Sequence, residues 1–115
     1  MSDRQEVRVV LDEGMHFVGT AYPPEESVAV HMDAKAEVGG QALGARPQSL
    51  LLVSLAGCTG MDVISILRKK RQDVTGFEVR VSAERADDHP RVYTHIWLNY
   101  VVTGRSVDPA AVERS

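Results

Sequence analysis

Cys58 is the only cysteine in this 115-residue chain, and it stands in the chain's most apolar stretch, Pro47 to Leu67, between Gly57 and Gly60. A thiol there is either an inert piece of core or a protected redox centre, and which it is depends on whether its thiolate, the reactive form, can be reached. The two glycines would let a substrate or a second backbone approach the sulfur, and they serve tight helix packing equally well. Electrostatics along the sequence give the thiolate little help. Cys58 lies eleven residues past Pro47, too deep for the dipole of a helix starting there. The carboxylate of Asp62, one turn further on, opposes ionisation. Activation would have to come from Arg46 or from a second subunit.

Other chemistry is sparse. One cysteine excludes an internal disulfide, a cysteine-rich zinc site and a CxxC pair. His16, His31, His89 and His95 show no ligand spacing of the HExxH kind, so they read as surface or packing residues, and neither a metal nor a cofactor is expected. Gly39-Gly40 lacks the spacing of a phosphate cradle and reads as turn chemistry. Asp62 reads as a polar residue at a helix or dimer boundary, and Tyr93, Trp97 and Tyr100 as core and sheet-face packing.

These residues need elements to hold them. Glu6–Leu11 and Met15–Ala21 are predicted to form a hairpin around Asp12-Glu13-Gly14. Pro23-Pro24-Glu25-Glu26 breaks it, and Ser27–Met32 alternates as a third strand. From Asp33 to Arg46 the glycines Gly39, Gly40 and Gly44 predict a long mobile loop of the sort that often carries function. Pro47 opens a helix expected to reach about Lys70, with Arg68 to Arg71 at its negative end. Its first half is apolar on nearly every face, which predicts burial between other elements or against a partner chain. Phe77–Glu84 and Arg91–Thr103 form a second hairpin. Asp108 caps a last helix that starts at Pro109 and continues Ala110-Ala111-Val112-Glu113-Arg114.

The whole chain sets wider bounds. Its length predicts a single domain, residues 1–115, and 43% apolar against 25% charged residues is ordinary soluble composition. A net charge of −3 gives no electrostatic reason to bind nucleic acid or an anionic membrane. The run Leu50–Ala56 is too short to span a bilayer before Cys58, Thr59 and Asp62 interrupt it. No stretch reads as a signal peptide, which predicts a cytoplasmic protein.

Element order and particular residues together resemble the OsmC/Ohr superfamily of thiol-dependent peroxidases, nearer its OsmC-like subgroup than the Ohr branch. The residues are Gly39-Gly40, Pro47 with Leu50-Leu51-Leu52, Ala56-Gly57-Cys58-Thr59, the basic end Arg68–Arg71, and Val79–Val81 with Tyr93-Thr94-His95-Ile96. They run over nearly the whole chain. The resemblance implies an α+β fold, a mainly antiparallel sheet around a central buried cysteine-bearing helix, and an intertwined homodimer with active sites at its interface. It implies that Cys58 is the peroxidatic residue, acting on a small-molecule organic hydroperoxide with a thiol or dithiol as reductant. Arg46, ahead of Arg8, stands as the candidate catalytic arginine, and Gln48 occupies the place where the peroxidases commonly carry the glutamate that fixes it. An amide there accepts a hydrogen bond but adds no charge. An OsmC-type pocket is apolar, and Phe17, Leu51 and Met61 are candidates to line it. Against the family's pattern, the rest of the C-terminal helix and a following strand are expected to be missing, and with them a resolving cysteine, unless the protein continues past Ser115 and supplies one there. A second reading therefore stands beside the peroxidase: a non-catalytic dimeric OsmC-like protein that binds an apolar small molecule or has a structural role.

Overall fold

The computed structural model describes residues 6–21 and 28–113. Strands β1 (Val7–Glu13), β2 (His16–Ala21) and β3 (Val28–Met32) come first, then a 3-10 turn at Ala36–Val38 and helix α1 (Pro47–Lys69). Strands β4 (Asp73–Arg85) and β5 (Tyr93–Arg105) and helix α2 (Pro109–Glu113) complete it. The α+β class holds, with two antiparallel sheets rather than one, ordered β1-β2-β3 and β4-β5. Contacts divide the chain into two compact units, Met1–Leu51 and Leu52–Ser115. The Pro23-Pro24-Glu25-Glu26 break, Ser27 and Arg114 lie outside the described residues.

In the first unit Gly14 turns the β1–β2 hairpin with φ +57°, a backbone shape that a β-carbon disfavours. Antiparallel register then sorts the side chains. Leu11 pairs with Phe17 and Val9 with Gly19, while Phe17 pairs with Met32 and Gly19 with Val30. Because strand side chains alternate, Val7, Val9, Leu11, Phe17, Val30 and Met32 share one wholly apolar face. Val7, Val9, Leu11 and Phe17 on that face are exposed. The opposite face carries Arg8, His16, Thr20 and His31.

The segment after β3 is not the loose loop its glycines suggest. Asp33, only 3% exposed, accepts hydrogen bonds from the backbone N–H groups of Ala34, Gln41 and Leu43 at 2.8, 2.9 and 3.2 Å. At its far end Ala45 bridges to Met32 in parallel: Ala45 N–H donates to His31 O at 3.2 Å and Asp33 N–H to Ala45 O at 3.0 Å. Gly40 and Gly44 serve close approach, since a β-carbon on them would collide with the backbone of Ala34 and His31 respectively.

Helix α1 starts in the first unit, and from Leu52 onward it belongs to the second, with the β4–β5 hairpin and α2. The Leu50 N–H to Arg46 O bond, 3.1 Å, makes Arg46 the residue that caps α1, with Pro47 at the first helical position. At the other end Arg71 takes φ +57°, and the Arg71 N–H to Arg68 O and Gln72 N–H to Leu67 O bonds, both 3.0 Å, close a Schellman stop. The hairpin gathers Phe77, Val79 and Val81 with Leu98, Tyr100 and Val102 on one half-buried face. Gly60 of α1 backs onto it, for a β-carbon there would meet Val79 at 3.3 Å and Phe77 at 3.5 Å. Leu67, one face down the same helix, is fully buried. Trp97 departs from its expected packing role: it pairs with Ser82 on the polar face, 45% exposed, stacked on His95 at 5.7 Å. Asp108 caps α2 as its sequence suggests, accepting the Ala110 N–H at 3.0 Å. Lys70 Nζ donates to Ala111 O at 2.9 Å, and Gln72 Oε1 accepts the Asp108 N–H at 2.7 Å.

Candidate functional site

Within one chain α1 is not the buried helix its composition suggests: its buried residues are Gly60 and Leu67. Ala56, Gly60, Val63 and Leu67 recur at helical spacing and form the inward stripe, each half-buried or buried. Cys58 sits on the other side and is exposed. Leu55, Met61 and Asp62 are its neighbours one turn away on that side, with Leu51 two turns back. Leu51 and Met61 are exposed, Met61 at 73%. Gly57 has nothing within 4 Å of where a β-carbon would stand. Thr59 turns its hydroxyl back into its own helix, donating to Leu55 O at 3.0 Å.

The expected site residues therefore fall into three places. Cys58, Met61 and Leu51 share the exposed side of α1. Arg46 and Gln48 stand at its start, and Phe17 lies on the apolar face of the β1–β3 sheet. Arg46 and Cys58 are twelve positions apart along α1 and its cap, about 18 Å along the axis, so α1 itself does not bring the two together. A guanidinium at the positive end of a helix gains nothing from the macrodipole. Gln48 is half-buried.

One cluster was not legible as a cluster. His16, a buried residue, lies with Nδ1 3.1 Å from Asp12 Oδ2 and Nε2 3.0 Å from His31 Nδ1. The two rings are nearly parallel, 14° apart. The Gln41 amide, ahead of those of Leu43 and Ala34 and of the field of His16, holds the Asp33 carboxyl below the ordinary carboxylate range, against the desolvation of burial. Cross-strand register was the available signal, since continuing the β2–β3 pairing sets His16 opposite Asp33. Among the described residues no three His, Cys, Asp or Glu side chains are placed to hold a metal ion.

The arrangement is an α+β fold whose one cysteine stands exposed at the middle of an apolar helix, with antiparallel strands before and after it in the chain. Residues 39–115, two thirds of the chain and including Cys58, match the OsmC-like protein family. Protein YhfA of Escherichia coli K12 is 40% identical over 113 residues, which cover 96% of this chain and 77% of YhfA; YhfA of Shigella flexneri matches equally. A hypothetical protein from Aquifex aeolicus VF5 superposes with a TM-score of 0.79 at 30% identity, over 98% of this chain and 76% of its own. A Psychrobacter arcticus 273-4 protein, described as a putative osmotic stress induced and detoxification response protein, shares the fold with a TM-score of 0.77 at 19% identity, over 99% of this chain and 80% of its own. The chain belongs to the OsmC family.

Proposed function

We propose that the protein is a thiol-dependent peroxidase of organic hydroperoxides with Cys58 as its nucleophile. The observation that carries this reading is the exposure of Cys58 among Leu51, Leu55 and Met61, within the family-matched region. The sulfur attacks the outer peroxide oxygen, the O–O bond breaks, and the alcohol leaves with a proton while Cys58 becomes a sulfenic acid. A thiol reductant then condenses with the sulfenic acid, releasing water, and a second thiol cleaves the mixed disulfide to restore Cys58. Apolar neighbours suit an alkyl hydroperoxide better than hydrogen peroxide.

The protein works as a homodimer in the cytoplasm in this reading. By length and composition α1, at 23 residues, could cross a membrane, with only 11% of its apolar window buried. Asp62 in the middle of that helix, the apolar face of β1–β3 and the open space at Gly57 favour a second copy of the chain as the cover instead. That copy is also the source of an Arg46 close to Cys58, with Gln48 orienting it.

Loss of an alkyl hydroperoxide in the presence of a dithiol tests the reading. Turnover is expected in the wild type and absent in Cys58→Ser. Equal rates in both proteins would sink it. The non-catalytic alternative is favoured by Gln48 and Asp62. It predicts that mild peroxide oxidises methionines such as the exposed Met61 while Cys58 stays unmodified in mass spectra.

A further inference from the structure

We propose that the Asp12–His16–His31 chain is a proton-counting latch, which holds the Gly44–Arg46 end of the loop against β3 and releases it on acidification. Asp12 can only accept, so the Nδ1 of His16, 3.1 Å away, carries its hydrogen. Between His16 Nε2 and His31 Nδ1, 3.0 Å apart, there is room for one hydrogen. In the neutral pair His31 donates it. One added proton preserves the bond, on either ring. A second added proton puts N–H on both facing nitrogens, and the bond becomes a contact between two like charges. The protons come from solvent and no other bond forms or breaks.

Charged groups surround the pair, and the backbone of His31 transmits the loss of the bond. On β1 the charged groups are Asp12, Glu13, which pairs with His16, and Arg8 further along the same face. Beyond β3 stands Asp33, and the loop adds Lys35, Glu37 and Arg46. Of these, Asp12 touches the His16 ring and Asp33 feels its field. His31, whose ring must leave, is also the residue whose carbonyl accepts the Ala45 N–H. Gly44 lets that backbone lie close, and Arg46 follows directly. The latch is independent of whether Cys58 is a peroxidase.

Backbone hydrogen exchange on the full chain at pH 7.5 and pH 5, corrected for intrinsic rates, reads it at the Ala45 and Asp33 amides. Wild-type protection is expected to fall about fivefold at pH 5, the worth of one hydrogen bond. His31→Asn places an uncharged amide where Nδ1 stood and should hold protection within about twofold. Asp33 does not confuse the result, because its lowered carboxyl stays ionised at pH 5. Unchanged wild-type protection, or an equal fall in His31→Asn, overturns the proposal. Should the variant not fold, nitrogen-15 spectra of the wild-type imidazoles decide: coupling across the His16–His31 bond that is lost at pH 5 supports the latch, and coupling that persists overturns it.

Discussion

The two units of this chain use the same alternation of apolar and polar residues and reach opposite ends. In the second unit the apolar face of β4–β5 meets the inward stripe of α1, and Leu67 disappears from solvent. In the first unit the buried residues His16 and Asp33 are polar, held by hydrogen bonds, while Val7, Val9, Leu11 and Phe17 stay exposed. One unit is organised by apolar packing, the other by a polar network beneath an uncovered apolar face. Burial of apolar area, roughly 25 cal/mol per Å², is the larger force, so the uncovered face is where the molecule has most left to gain by association.

The strongest way to break this contrast is to charge the uncovered face. If a second copy covers it as proposed, Val9→Lys combined with Phe17→Glu should leave a monomer in sedimentation with strand content by circular dichroism unchanged; a wild type that is itself monomeric, or a variant dimer as tight as the wild type's, would break the contrast. Next, Leu67→Ala should cost about 2–5 kcal/mol in denaturant unfolding, because the side chain is fully buried. Gly60→Leu should cost about 1–3 kcal/mol by pushing α1 off Val79 and Phe77. Gly57→Ala sharpens the comparison, since its surroundings are open: helix propensity predicts a gain of about 1 kcal/mol for the isolated chain, and weaker dimerisation if a second helix packs there.

Smaller still, Asp33→Asn should loosen the loop at neutral pH without disturbing the second unit. The Asp33 carboxyl is held below its ordinary range, so its contribution is complete above the unfolded value near pH 3.9 and is lost as pH falls through the lower folded value. In the variant the part of acid unfolding below about pH 4 that Asp33 supplies should vanish from a pH series of melting curves. Glu78→Gln should change nothing measurable. Its bond to Arg80 at 2.8 Å is solvent-exposed on both sides.

Periodicity carried most of the fold. Alternation at Phe77, Val79 and Val81 located β4, and Pro47 with Arg68–Arg71 bounded α1 to within a residue of its observed end. Strand ends were less legible: β4 begins at Asp73, because an irregularity between Val74 and Gly76 lets pairing continue towards Arg105. The loop was misread because its glycines mark close backbone contacts, and those depend on where Asp33 and His31 lie in the folded sheet. For the same reason the His16–His31 pair was invisible: fifteen residues separate them, and only cross-strand register joins them. Cys58 was legible as a position, while its exposure was not, since an apolar helix reads as buried until the cover is counted.

The apolar face of β1–β3 also has a consequence in time. Both hairpins join neighbouring stretches of chain and can close within microseconds to milliseconds, whereas the second copy proposed above as cover would arrive at a rate set by concentration. During that wait an apolar sheet face is open to any other unfinished chain. Synthesis at low copy number lengthens the wait, and crowded overexpression brings wrong partners as fast as right ones. The yield of correctly assembled protein should therefore pass through a maximum as expression rises.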